Sequence, residues 1–221
     1  MSVIINGTDN FVLNADSLGA AAAGAFDYDG KVFYATPQGT QRGVVPGAQF
    51  FRLDANLAGA NVNTAQNMLG VGVTLSASTV YAFEIVFNIN RTAGTTSHTV
   101  GISFGGTATI NNTSYFINGF SNASTGAVNN FQIYGTPATG HVIGLIQTAS
   151  NTTVTSATAA ANEAVALTLK GTVSINAGGT FIPQYTCSAA PGGAFTTQAG
   201  SYMMIYPIGA SGANINVGTW A

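Results

Sequence analysis

VYAFEIVFNIN, from Val80 to Asn90, decides the fold. Tyr81, Phe83, Ile85, Phe87 and Ile89 fall on one face of an extended chain. Val80, Ala82, Glu84, Val86 and Asn88 fall on the other. Alternation with period two predicts a half-buried β-strand. Outward from it, apolar stretches predict further strands at Gln49–Leu53, Leu69–Leu75, Thr99–Phe104, Thr107–Asn111, Ser114–Phe120 and Asn130–Gly135. Others follow at His141–Gln147, Ala164–Ile175, Thr180–Cys187 and Ser201–Pro207. Short strands separated by Gly, Asn, Ser or Pro argue for a sandwich or barrel. The expectation is an all-β fold, a jelly-roll-like β-sandwich over residues 25–221. Residues 1–24 form an N-terminal arm or an edge strand. Helix signals are weak, with at most a turn or two near Asn61–Met68.

Composition narrows the function. The chain has 221 residues, enough to bury a core without cross-links. Charged residues are 5% of it, against roughly 25% in an ordinary domain. Beyond Arg91 only Glu163 and Lys170 carry charge. A net charge of −2 gives no basic footprint for nucleic acid and no electrostatic route to an anionic membrane. Hydrophobic residues at 46% argue against disorder. No apolar run is long enough for a membrane-spanning helix, and MSVIINGTDN lacks the features of a secretory signal. A neutral surface rich in Thr, Asn and Gly is poorly protected against association, so subunit contacts are expected to cover much of it.

FDYDGKVFYATP (Phe26–Pro37) contains Asp-x-Asp-Gly. A calcium loop of the EF-hand type needs a longer acidic pattern ending in Glu, and none follows. The stretch reads as two strands joined by a two-residue Asp29-Gly30 turn, with no metal. GISFGGTATI (Gly101–Ile110) lacks the Lys of a phosphate loop, and Asn176–Gly179 is a similar device; both read as hairpin turns.

No enzymatic constellation emerges, so no catalytic, cofactor-binding or metal-binding residue is assigned. Cys187, the lone cysteine, reads as a buried small hydrophobe. His98 and His141 stand apart in sequence, and His98 reads as solvated or packed. The carboxylates of Asp27, Asp29, Asp54 and Glu84 suggest no acid–base pair. Glu84, mid-strand among apolar neighbours, is expected to pair with Arg52 or Arg91. Trp220 is expected to tuck against its own domain or a neighbouring subunit, with its indole N–H bonded.

YDGKVFYATP, RGVVPGAQFFRL, NMLGVGVTLSASTVYAFE, RTAGTTSHTVGISFGGTATI and GTVSINAGGTFIPQYTCSAAPGGAF occur in this order. Together they resemble a module found in structural proteins of tailed bacteriophages, particularly those of aquatic hosts. The resemblance covers roughly Ala25 to the C-terminus. It implies a virion component made in the bacterial cytoplasm and brings no catalytic residues. Almost nothing precedes the module, so no fibre shaft is expected here. The expected role is a homo-oligomeric capsid decoration (cement) protein, a homotrimer by analogy, contacting the major capsid protein or other virion proteins. The alternative is a tail-fibre tip that binds host glycans through loops such as Gly119–Tyr134. An enzyme such as a depolymerase is disfavoured, because the near-neutral second half supplies no clustered carboxylates or triad.

Overall fold

The computed structural model describes residues 15, 18–121, 141–214 and 216–220. Within them the chain is all-β, without helix. In chain order the strands are β1 (Phe26–Tyr28), β2 (Phe33–Ala35), β3 (Gly43–Val45), β4 (Gln49–Arg52), β5 (Leu57–Ala58) and β6 (Gln66–Asn67). Then come β7 (Val73–Leu75), β8 (Thr79–Arg91), β9 (Val100–Gly105), β10 (Thr109–Ser121) and β11 (His141–Ile146). The rest are β12 (Thr152–Thr153), β13 (Glu163–Ala177), β14 (Gly179–Cys187), β15 (Thr196–Thr197) and β16 (Tyr202–Ala210).

Two antiparallel sheets pack in a sandwich-like arrangement. The larger runs β11-β10-β13-β8, and the far edge of β8 is shared by β16 and β15, which carry β4 and β5. The smaller runs β12-β9-β14, with β6 and β7 along the far edge of β14. A third sheet, β1-β2-β3, is a three-stranded meander. The strand predicted at Asn130–Gly135, residues 1–14, 16 and 17 of the predicted arm, and residues 122–134 of the Gly119–Tyr134 loop lie outside the described residues, while Gly119, Phe120 and Ser121 belong to β10.

The decisive stretch is the spine of the larger sheet. Along β8 the burial alternates strictly, with Tyr81, Phe83, Ile85, Phe87 and Ile89 inward. Opposite them the smaller sheet contributes Val100, Ile102, Phe104, Phe181, Tyr185 and Cys187. Phe104 and Phe181 stack with centroids 4.6 Å apart, and Phe83 meets Phe104 edge-on at 5.4 Å. Such contacts stabilise beyond the area they bury.

Several expectations are corrected. Thr107–Asn111 and Ser114–Phe120 are not two strands but one, β10, with register shifts around Ile110 that keep Tyr115 and Ile117 inward. Leu69–Leu75 is extended strand only from Val73. Near Asn61–Met68, where at most a turn or two of helix is expected, none forms; the Asn61 and Gln66 side chains accept from the backbone N–H groups of Gly192 and Ala60.

Neither Gly-rich turn is a hairpin. β9 and β10 belong to different sheets, as do β13 and β14, so both turns are corners that carry the chain across the sandwich. The corners lock together. Ala108 N–H donates to Thr180 O, while Thr107 N–H and Thr180 N–H each donate to the other's hydroxyl. Gly106 has φ +111°, and a Cβ there would stand 2.1 Å from Thr180 O, so a side chain meets strain and collision at once.

The opening hairpin forms, but its loop has four residues, Asp29 to Val32, because Tyr28 pairs with Phe33. Only Gly30 takes positive φ, at +89°. The Asp29 side chain builds the turn instead: Oδ1 accepts from Lys31 N–H and Val32 N–H at 2.8 Å, and Oδ2 accepts from Tyr34 O–H at 2.9 Å.

Candidate functional site

Three places in the molecule concentrate chemistry or exposed surface: a buried ionic cluster, an open cleft, and the outer face of the larger sheet. The cluster lies at the end of the β8–β13 ladder. Arg91 closes β8, Glu163 opens β13, and the two are in direct register. Arg91 Nε donates to Glu163 Oε2 at 2.9 Å, and neither side chain is exposed. His98 Nε2 lies 3.0 Å from the same oxygen, and its Nδ1 is 2.9 Å from Thr96 O. A carbonyl only accepts, so Nδ1 carries a proton in this contact.

The other guanidinium N–H groups bind carbonyls from three loops: Ala93 and Gly94, Ala160, and Pro191. The guanidinium also lies 5.5 Å from the Phe195 ring centroid. Cys187 lies nearby, its thiol pushed up to about 11 by burial and by Glu163. Burial and an unactivated thiol oppose nucleophilic chemistry. The cluster ties three loops to the sheet, and we assign it to structure.

The carboxylates considered for acid–base work are dispersed, each with its own partner. Asp27 pairs with Arg42 at 3.1 Å, Asp54 with Arg52, and Asp29 serves its turn. Glu84 is the correction. It pairs with neither Arg52 nor Arg91, but with Lys170 at 3.5 Å and with the Tyr202 hydroxyl at 2.7 Å. Glu84 points to the outer face, seven residues from inward-facing Arg91. The Tyr202 hydroxyl bond holds its carboxyl below the usual range, against burial and with help from Lys170. Among the described residues no group of three or more His, Cys, Asp or Glu could hold a metal.

An open cleft of about 380 Å³ separates β4 from β7, lined by Phe51, Leu69, Val71, Val73, Met203 and Ile205 among others. Gln49 and Thr74 are the polar side chains of its lining, which holds no acid, base or cation.

The outer face of the larger sheet is the broadest candidate. Ladder registers place Phe50, Met204, Glu84, Lys170, Phe116 and Leu145 in one row across six strands. The next row is Arg52, Tyr202, Val86, Thr168, Asn118 and Ile143. Phe50, Phe116, Phe120, Ile143 and Leu145 are exposed, Leu145 at 65%. Phe50 stacks on Tyr202 at 5.4 Å.

Of the aromatic residues in the neutral part of the chain, Tyr115, Phe181, Tyr185 and Phe195 fill the core, whereas Phe116 and Phe120 do not. Trp220 does not tuck against its own domain, which leaves it 78% exposed. Sequence reasoning missed the face because outward positions on β10 and β11 alternate normally and differ only in being apolar.

No family model, curated protein or solved structure matches this chain.

Proposed function

We propose that the chain is a structural component of a tailed-phage particle, a homo-oligomeric decoration (cement) protein on the outer shell. The reading rests on the phage-module resemblance and on one structural observation. The outer face of the larger sheet exposes apolar side chains at both ends of one row, Phe50 on β4 and Leu145 on β11, with Arg52, Glu84 and Lys170 its only Asp, Glu, Lys or Arg residues among those described. A large exposed apolar face marks an interaction surface. Charged groups are depleted in the cores of such surfaces and aromatic ones enriched.

We further read the wrap as a jelly roll. The order β4-β16-β8-β13 facing β12-β9-β14-β7 supports this, because first and last strands pair and the rest nest between them, as in two Greek keys. That architecture recurs in capsid and lectin domains, which is analogy only. The test is copy number and position in purified particles, by quantitative mass spectrometry and immunogold labelling. Hundreds of copies over the shell are expected. A few copies at the tail tip would overturn the decoration reading in favour of a glycan-binding fibre tip.

A further inference from the structure

We infer that a second copy of this chain covers the outer face of the larger sheet, related by a two-fold axis that runs along the strands between β8 and β13. The inference rests on the homo-oligomer reading above and names its contact. The row Phe50, Met204, Glu84, Lys170, Phe116, Leu145 has the same chemistry from either end: two apolar residues, a charge, the opposite charge, two apolar residues. Turning a copy over about that axis reverses the row. Glu84 then faces the Lys170 position of the other copy, Met204 faces Phe116, and Phe50 faces Leu145.

An isologous contact requires such self-complementarity, since one patch must fit itself. A foreign partner has no reason to match it. Each charge on the face already has a partner within its own chain, Glu84 with Lys170 at 3.5 Å and with Tyr202, and Arg52, which would face Ile143, with Asp54, so covering the face strands none of them.

The size fits. Six strand positions at about 4.8 Å spacing and roughly seven residues of strand length give a face of about 700 Å², close to the roughly 800 Å² per partner of a standard interface. Sheets packed face to face keep their strands within about 30° of each other, which this axis permits. The contact joins copies in pairs, in contrast to the trimer expected by analogy.

The test is sedimentation of the full chain at micromolar concentration. The wild type is expected at twice the 22.3 kDa chain mass. Leu145→Glu and Phe50→Glu replace exposed residues and are expected to shift the protein to monomer, with the circular dichroism spectrum unchanged and a cooperative melt that no longer depends on protein concentration. Phe26→Glu, exposed on the three-stranded sheet, is expected to keep the wild-type mass. Folded face variants that keep the wild-type mass overturn the inference and leave the homo-oligomer reading standing. A wild-type trimer overturns the two-fold arrangement. A wild-type monomer overturns both.

Discussion

Arg91 and Glu163 stand directly opposite each other on β8 and β13, with Nε and Oε2 2.9 Å apart and both side chains fully enclosed. Removing one partner of a buried pair leaves the other charge uncompensated, at a cost of about 3–5 kcal/mol. Glu163→Ala is therefore expected to lose that much in urea unfolding. Arg91→Lys is expected to be costly too, because an ammonium cannot reproduce a guanidinium's planar fork onto Glu163 and the loop carbonyls. A loss under about 1 kcal/mol for Glu163→Ala would show that the cluster is not structural.

Glu84→Ala gives the contrast. Its partner Lys170 is 73% exposed, and the pair lies on the outer face. Exposed pairs contribute roughly 0–1 kcal/mol. In the Leu145→Glu background, where no second copy covers the pair, the expected loss is within that range, and a loss as large as that of Glu163→Ala would contradict the placement of Glu84.

These two pairs show how much was legible. Period two in Val80–Asn90 revealed which side chains fill the core, because alternation is local. Pairing is not local, so position along the chain does not single out Lys170 over Arg52 or Arg91 as the partner of Glu84. Yet a signal was present. Glu84 precedes Arg91 by seven residues, and Glu163 precedes Lys170 by seven. Antiparallel pairing of two segments with that spacing sets each acid against a base, and an odd spacing puts one pair inside and one outside. The glycine corners failed similarly: Gly-Gly between apolar runs marks a reversal but not whether the next strand joins the same sheet. The outer face was invisible because it depends on which strands become neighbours.

Gly106→Ala tests the corners. Positive φ penalises any side chain, and Thr180 O blocks the Cβ. An overpacked site typically costs about 1–3 kcal/mol. The expected outcome is a loss of that size by chemical denaturation, with the β-type circular dichroism spectrum retained. A silent substitution would mean that the corner relaxes freely.

Trp220 is the sole tryptophan, so indole emission reports on it alone. Its 78% exposure predicts the emission of a water-exposed indole and ready quenching by iodide. Blue-shifted, quencher-resistant emission would place the C-terminal residues against another subunit.

Asp29 yields predictions for metal and for pH. Both its oxygens already accept hydrogen bonds, from Lys31, Val32 and Tyr34, so calcium and chelator are expected to leave the melting temperature unchanged. A bound ion would raise it by mass action. Burial pushes the Asp29 carboxyl up, but the Val32 and Lys31 N–H groups and the Tyr34 hydroxyl outweigh it and hold the carboxyl below its ordinary 3.8. A depressed folded value means that the ionised form stabilises the fold. That contribution is complete above the unfolded value and disappears as pH falls through the folded one. Asp29→Asn keeps an acceptor for the turn but cannot ionise. Its deficit against the wild type is therefore expected to be largest near neutral pH and to vanish in acid. A deficit independent of pH would show that the amide fails the turn geometrically and that the charge contributes nothing.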